Sequence, residues 1–410
     1  MKRILMVAYH FPPLAGSSGI QRTLRFAKYL PEFGWEPLVL TAHPRAYERT
    51  GTDLLSEIPE GAVVVRAPAF DTARHLSILG RYPGFLARPD RWIGWLPGAT
   101  LAGLDMVSRY RPDAIWSTYP IATAHLIGAA LHRKSGLPWV ADFRDPMAQD
   151  GYPADPRVWR SFRRIEERVM RDAALCTFTT PGAARFYSER YPDVEERFRV
   201  VENGYDEEAF AGLDTCGAPL NPGKITLLHS GIVYPSERDP TQFLGAIRTL
   251  MDAGRISASQ FRLRFRASMH EDFLRSLADR SGLGECIELL PPIPYREALD
   301  EMVRADILLV MQASNCNDQI PAKLYEYFRA GKPILALTDP AGDTARALRA
   351  AGVSAIAPLD QSPAIADALG RVIAEPLVGT LAATDTVLKS ARRNRTGEFA
   401  AMLDQLRDGK

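Results

Sequence analysis

Between Asp318 and Pro333 the chain reads Asp-Gln-Ile-Pro-Ala-Lys-Leu-Tyr-Glu-Tyr-Phe-Arg-Ala-Gly-Lys-Pro, a run whose charged residues are spaced to act together. Pro321 suits the first position of a helix, because the N–H it lacks would be unbonded there anyway. The N–H groups of Ala322 and Lys323 then face outward from a helix start, where the backbone dipole favours an anion. Lys323 and Glu326 lie three apart and share one helical face. Such a cation and carboxylate can meet a phosphate and a sugar diol respectively. By itself the pair would be an ordinary surface salt bridge, but that leaves the rest of the segment unexplained. Gly331 ends the helix, and Pro333 opens the next extended run.

Three other segments carry polar groups after apolar runs. In His10-Phe-Pro-Pro-Leu-Ala-Gly-Ser-Ser-Gly19, Gly16 and Gly19 with Ser17 and Ser18 between them allow backbone N–H groups to approach a phosphate. A plain glycine-rich turn fits equally well. The spacing is not Gly-x-Gly-x-x-Gly and no Gly-Lys-Ser/Thr follows, so neither a dinucleotide fingerprint nor a Walker loop is present. In Ser230-Gly-Ile-Val-Tyr-Pro-Ser-Glu-Arg-Asp-Pro240, Gly231 permits close backbone approach and Arg238 precedes a helix start. An arginine there opposes the helix dipole unless an anion is near, and it can neutralise a diphosphate leaving group. Asp142-Phe-Arg-Asp145 offers two carboxylates and an arginine. Either Asp142 or Asp145 orients an acceptor hydroxyl, or Arg144 forms an internal salt bridge that fixes the loop; both readings stand. Asn203-Gly204 reads as a tight structural turn.

These segments need a scaffold that gathers strand ends and helix starts. Short apolar runs predict strands at Ile4–Tyr9, Pro37–Thr41, Val63–Arg66, Ala114–Ser117, Trp139–Phe143, Leu175–Thr179 and Arg199–Glu202. Helices are predicted at Ile20–Leu30, with Arg22, Arg25 and Lys28 off its apolar face, and near 121–134, 157–171 and 182–189. The rhythm restarts after a Gly/Pro-rich stretch, with strands at Ile225–His229 and near 262–266, 286–290, 307–311, 333–337 and 354–357, and a helix near 239–252. This is α/β: two doubly wound, Rossmann-like domains, expected to face each other across a cleft, with ligands at the carboxyl ends of the strands. The expected divisions are a domain at 1–210, a linker at 211–223, a second domain at 224–378, and a tail at 379–410 whose charged helix near 380–406 returns to the first domain.

The bulk numbers fit this plan. A chain of 410 residues suits two domains. Fifty basic and 49 acidic residues give a net charge of +1, which argues against a nucleic-acid partner. Cys176, Cys216, Cys286 and Cys316 have no metal-like or paired spacing and read as free thiols of a reducing compartment. The apolar run after Met1-Lys2-Arg3 is too short for a signal peptide and reads as a strand. No stretch is apolar enough to span a bilayer, so a cytoplasmic protein is expected.

Taken together, the Pro-Pro…Gly-Ser-Ser-Gly loop, Ala141-Asp-Phe-Arg-Asp-Pro146, Val201-Glu-Asn-Gly-Tyr-Asp206, Ser230-Gly231 with Arg238, and Pro321-Ala-Lys-Leu-Tyr-Glu-Tyr…Ala-Gly-Lys-Pro333 resemble the retaining glycosyltransferases of family 4, which have the GT-B fold, especially their bacterial polysaccharide-assembly branch. The likeness runs over nearly the whole chain. It implies transfer of a sugar from a nucleotide-diphosphate sugar to a saccharide or lipid-linked saccharide acceptor. It places the ribose contact on Glu326, the donor-sugar contact on Asp318, the distal phosphate on the amides of Ala322 and Lys323, and leaving-group stabilisation on Arg238, with Lys323 assisting. No cofactor and no metal are expected. The chain departs from the pattern at Asp318, where the family usually has glutamate, at Ile232, where it has a second arginine, and at Ser117-Thr-Tyr-Pro120, where many relatives have a histidine. His125 follows on a helix, where packing is the commoner role. A nucleotide-sugar 2-epimerase and a catalytically silent scaffold are the competing readings.

One region breaks the rhythm. Between Phe70 and Ala99, Leu76, Leu79, Tyr82, Phe85, Leu86, Trp92, Trp95 and Leu96 interleave with Arg74, Arg81, Arg88 and Arg91. An inserted loop packed on its own domain explains this, and so does peripheral membrane or acceptor contact through 74–96.

Overall fold

The computed structural model describes residues 1–17, 19–214 and 217–408. Ser18 and Cys216, named above, lie outside the described residues. The chain forms two compact units, one of 1–203 with 392–410 and one of 204–391.

The first unit holds a seven-stranded parallel sheet of β1 (Lys2–Val7), β2 (Trp35–Ala42), β3 (Val63–Ala67), β4 (Ala114–Thr118), β5 (Trp139–Arg144), β6 (Leu175–Phe178) and β7 (Phe198–Val200), in the order β3-β2-β1-β4-β5-β6-β7. Helices α1 (Gly19–Tyr29), α2 (Leu96–Tyr110), α3 (Ala122–Ser135), α4 (Pro156–Asp172) and α5 (Pro181–Arg190) join them. The second unit holds β8 (Ile225–Ser230), β9 (Phe261–Arg266), β10 (Ile287–Leu290), β11 (Ile307–Gln312), β12 (Ile334–Thr338) and β13 (Ile356–Ala357), in the order β10-β9-β8-β11-β12-β13, again all parallel. Its helices are α6 (Thr241–Asp252), α7 (Glu271–Arg280), α8 (Tyr295–Arg304), α9 (Lys323–Ala330), α10 (Asp343–Ala350), α11 (Ser362–Ala374) and α12 (Thr384–Lys389).

Helices cover both faces of each sheet, which is why central strands such as β1, β8, β11 and β12 read as apolar runs, whereas β9 (Phe-Arg-Leu-Arg-Phe-Arg) alternates. In the first unit one face of β1 packs Leu5 and Val7 against Trp95, Ile127 and Leu131. The other packs Ile4 and Met6 against Phe26, Trp116 and a last helix, α13 (Arg392–Asp408). Phe26 and Phe399 stack with ring centroids 4.8 Å apart, and Trp35 donates to Asp404 at 2.9 Å. The tail is therefore two helices, not one, and its longer part completes the core of the first unit. The division between units falls at Asn203–Gly204, ahead of the Gly/Pro-rich stretch. Tyr205 and Phe210 are buried in the second unit's core beside Leu299 and Leu324, so 204–210 cannot be assigned to the first.

Cys176, Cys286 and Cys316 are free and buried. Among the described residues no helix is long and apolar enough to cross a membrane. Arg22 and Arg25, read from sequence as off the apolar face of α1, are almost wholly buried. Each is held by a carboxylate, Arg22 by Asp142 and Arg25 by Glu57.

Candidate functional site

Strand order reverses between β1 and β4 in the first unit, and between β8 and β11 in the second. Such switch points open a crevice at the carboxyl ends of the strands. The sequence-marked segments follow β1, β5, β8 and β11, so three of the four border a switch point.

In the second unit, β8 ends at Ser230 and the chain turns at Gly231, whose φ of +118° is unfavourable for any side chain. A Cβ at Gly231 would lie 3.0 Å from Lys323 Nζ, so the glycine leaves the room that the amine occupies. Lys323 opens α9, with Ala322 at the N-cap. Pro321 precedes the helix instead of starting it; its carbonyl accepts from Leu324 N at 2.9 Å, closing a tight turn. No acceptor among the described residues takes the N–H of Ala322 or Lys323. The backbone amides of this eight-residue helix start are thus available, as the sequence indicated.

Two histidine and tyrosine contacts pin α9 to β8. His229 Nε2 lies 3.2 Å from Lys323 Nζ, and Tyr327 Oη accepts from Ser230 N at 3.2 Å. Burial pushes the Lys323 ammonium down to about 7, with repulsion from Arg238 adding to it and Glu326 opposing. Arg238 does not enter a helix: α6 starts three residues later, and Arg238 Nη1 folds back to donate to Ile232 O at 2.8 Å. Its charge is thereby directed to the Gly231 turn. Glu326, one turn along α9 from Lys323, accepts from Tyr295 Oη at 2.8 Å. Asp318 is exposed in the loop after β11. That loop is shaped by the buried Gln312, whose Nε2 donates to Cys316 O at 2.9 Å and Gln319 O at 3.1 Å.

Sequence reasoning missed His229 and Tyr295. His229 was absorbed into a strand, although as the penultimate residue of β8 it had to lie near the carboxyl end. Tyr295 follows Pro291-Pro-Ile-Pro294, and proline before an amphipathic run is the available helix-start signal.

A cavity of about 550 Å³ also opens in this unit, lined by Ser236, Asp239, Gln312, Asp339 and Asp360 among others. It includes none of Gly231, Lys323 and Glu326. Its carboxylates would repel a diphosphate, so size alone is a poor guide and the cationic switch point is the better candidate.

In the first unit, Asp142 is fully buried. Arg22 Nε and Nη2 donate to it at 2.9 and 2.8 Å, and Thr118 and Thr177 hydroxyls at 2.7 and 2.8 Å. Burial would raise its carboxyl, but the charge and hydrogen bonds of Arg22 outweigh that, and its pKa lies below the ordinary value. Asp142 thus serves an internal ion pair, with Arg22 as its main partner; Arg144 Nε is more distant at 3.6 Å. A register shift between Asp142 and Arg144, with Arg144 at φ +60°, turns the strand end so that Asp145 keeps some exposure. Burial raises the Asp145 carboxyl against the pull of Arg144.

Arg144 also reaches under the first loop, Nη2 donating to Gly19 O at 3.1 Å. A Cβ at Gly19 would lie 2.4 Å from His10 Nδ1 and 2.8 Å from Arg144 Nη1, so close packing alone demands glycine there. Gly19 N donates to Ser17 Oγ at 3.3 Å, and Ser17 Oγ meets His10 Nδ1 at 3.2 Å. Gly16 has φ +78° and open space around its Cβ position. His125 is a core residue, 2.8 Å from Ser117 Oγ and packed on Phe143; burial lowers its pKa to about 4.

Two units, each a parallel α/β sheet of Rossmann type with a switch-point site, constitute the GT-B architecture. Residues 18–204 match the model of the Glycosyl transferase 4-like domain. None of the curated protein sequences matches the chain. Among solved structures, sucrose-phosphate synthase from Thermosynechococcus elongatus is similar at 15% identity and TM-score 0.64, covering 100% of this chain and 99% of that one. A glycosyltransferase from Rickettsia africae aligns at 13% identity and TM-score 0.69, covering 99% and 98%. Anabaena HepE, solved in complex with UDP and glucose, aligns at 14% identity and TM-score 0.60, covering 100% and 98%. Identities this low speak for the fold.

Proposed function

We propose that the protein is a glycosyltransferase that moves a sugar, with retention, from a nucleotide-diphosphate sugar to a hydroxyl of a saccharide or lipid-linked saccharide, in polysaccharide or glycolipid assembly. The carrying observation is the convergence of Lys323, Arg238, the open amides at the start of α9, and Glu326 at the β8–β11 switch point. The match to the Glycosyl transferase 4-like domain and the UDP-bound neighbour support the same class.

In this reading Glu326 accepts from the ribose hydroxyls, and the amides of Ala322 and Lys323 hold the distal phosphate. The bond from the anomeric carbon to the phosphate oxygen breaks as the acceptor oxygen attacks from the same face. The acceptor proton passes to a departing phosphate oxygen. Lys323 and Arg238 stabilise the charge that develops on the diphosphate, which is where most of the catalysis would come from. Because two protein cations already serve that charge, metal independence is part of the proposal, and chelation of the purified protein should leave its rate unchanged. Asp318 is assigned to the donor sugar. In the first unit Asp145, which keeps some exposure and holds its proton more tightly than an ordinary aspartate, is assigned to the acceptor hydroxyl, and the amides near Gly16 and Ser17 to a phosphate.

The test is a thermal-shift screen of nucleotide sugars on the wild type and Glu326→Ala, followed by NMR of the product anomer. A shift that survives unchanged in the variant would remove the ribose assignment. Donor turnover without any acceptor would instead favour an epimerase, and absence of any shift a silent scaffold.

A further inference from the structure

We propose that the segment 76–85 is a membrane-docking loop for anionic lipid. Sequence alone pointed to the whole stretch 74–96, but the structure divides it. Trp95 is buried and Trp92 packs on Tyr9 with ring centroids 5.1 Å apart, so both tryptophans belong to the core. Arg91 is taken by Asp71 and Glu48. What remains outside is a compact apolar tip: Leu79 is 97% exposed, Ile78 80% and Phe85 65%, with Leu76 and Tyr82 also exposed.

The base of this loop is built to hold the tip out. Thr72 N donates to Arg91 O at 2.8 Å, and Thr72 Oγ1 donates to Leu86 O at 2.7 Å. Asp71 caps the turn of helix beneath by accepting from Ala73 N at 3.0 Å. At the tip, Ile78 and Arg81 exchange both backbone hydrogen bonds, at 2.8 and 3.0 Å, around Leu79 and Gly80. Leu79 takes φ +51° and Gly80 φ +73°. A tight hairpin turn of that kind favours asparagine or glycine. Leucine there is disfavoured twice, by backbone strain and by exposure, and neither cost serves the folding of the loop.

Charge selects the occupant. From Thr72 to Pro89 there are three arginines, Arg74, Arg81 and Arg88, and no aspartate or glutamate. Arg74 and Arg81 are exposed, and Arg88 partly so. Apolar side chains rimmed by arginine match the interface of a bilayer, where acyl chains take the tip and anionic headgroups take the cations. The inference stands apart from the glycosyl-transfer reading, since docking needs no nucleotide sugar.

The experiment is co-sedimentation of the full chain with vesicles of phosphatidylglycerol mixed with phosphatidylcholine, and with phosphatidylcholine alone. Sedimentation with the anionic vesicles is expected, with release near 1 M salt, where the screening length falls to about 3 Å. The double variant Leu79→Asp with Phe85→Asp should bind at least about tenfold more weakly. Arg81→Gln and Arg88→Gln should each weaken binding about fivefold. Unchanged thermal midpoints will show that these variants fold. Failure to sediment, equal binding to both vesicle types, or undiminished binding by the double variant would overturn the proposal. So would a concentration-dependent dimer in light scattering that Leu79→Asp abolishes, which would assign the patch to a second copy of the chain.

Discussion

Lys323 Nζ lies 3.2 Å from His229 Nε2, while His229 Nδ1 lies 3.0 Å from the carbonyl oxygen of Leu309. A carbonyl only accepts, so Nδ1 carries the proton and Nε2 offers a lone pair to the amine. Burial and the approach of Lys323 both hold His229 well below the usual histidine range, keeping it neutral. The lysine is thus positioned by a neutral ring and placed where its own charge is poorly solvated.

That arrangement makes binding proton-linked. A diphosphate supplies the negative charge that Lys323 lacks, so it draws a proton onto an amine whose pKa is about 7 when free. Affinity for a nucleoside diphosphate is expected to fall with pH from roughly 7.5 to 9, by at most about tenfold per pH unit. Calorimetry in buffers of different ionisation enthalpy should register the proton taken up. Lys323→Arg should flatten the slope. The unliganded protein carries the opposite signature. Its folded-state value lies below the ordinary 10.5, so the unfolded chain binds more protons between about 7 and 10.5. Stability should therefore rise with pH through that window. A flat affinity profile would show that Lys323 does not touch phosphate.

Glu326 and Tyr295 separate ligand contact from support. Glu326→Ala should weaken nucleotide binding about ten- to a hundredfold, the size of a lost charged hydrogen bond. Tyr295→Phe removes the 2.8 Å bond that orients the carboxylate while leaving the carboxylate itself, and should cost about fivefold or less. Fluorescence or calorimetric titration will rank them, and a larger loss for Tyr295→Phe would reverse the assignment.

Asp142 and Asp145 should part company on mutation. Asp142→Asn breaks a buried pair with Arg22 and is expected to cost about 3–5 kcal/mol in denaturant unfolding. Asp145→Asn should keep the protein within about 1 kcal/mol of wild type while lowering the transfer rate. If Asp142→Asn folds normally and raises only the acceptor KM, Asp142 is a ligand and the ion pair is incidental.

Gly231→Ala tests the close approach. The new methyl must take φ +118° and displace Lys323 Nζ from 3.0 Å, so nucleotide affinity should fall about tenfold alongside a strain of about 1–3 kcal/mol. Gly352→Ala, at φ +85° with nothing within 4 Å, is the control. It should lose stability and leave affinity alone. Equal affinities for the two variants would sever Gly231 from the site.

Much of the scaffold was legible because parallel strands buried on both faces leave short apolar runs, as in β1, β11 and β12, and every strand from β1 to β12 lies within three residues of a predicted one. What sequence could not show were partners distant along the chain. Asp142 was read beside Arg144, its neighbour, whereas the strong pair is with Arg22, 120 residues earlier. Local spacing cannot reveal a contact that only the β1–β4–β5 arrangement creates. The same holds for His229 and Tyr295, which become neighbours of Lys323 and Glu326 only through the sheet order. The helix start at Ala322 was legible because its signals are local: a proline, a small residue, then an amphipathic run.

The last helix gives synthesis an order. Phe399, Ala400 and Leu403 fill the core face formed by Ile4, Met6, Phe26 and Trp116, yet 188 residues of another compact unit, 204–391, are made between the two parts. On the ribosome the part of that face that α1 leaves open must wait for Phe399, Ala400 and Leu403 until the second unit has emerged.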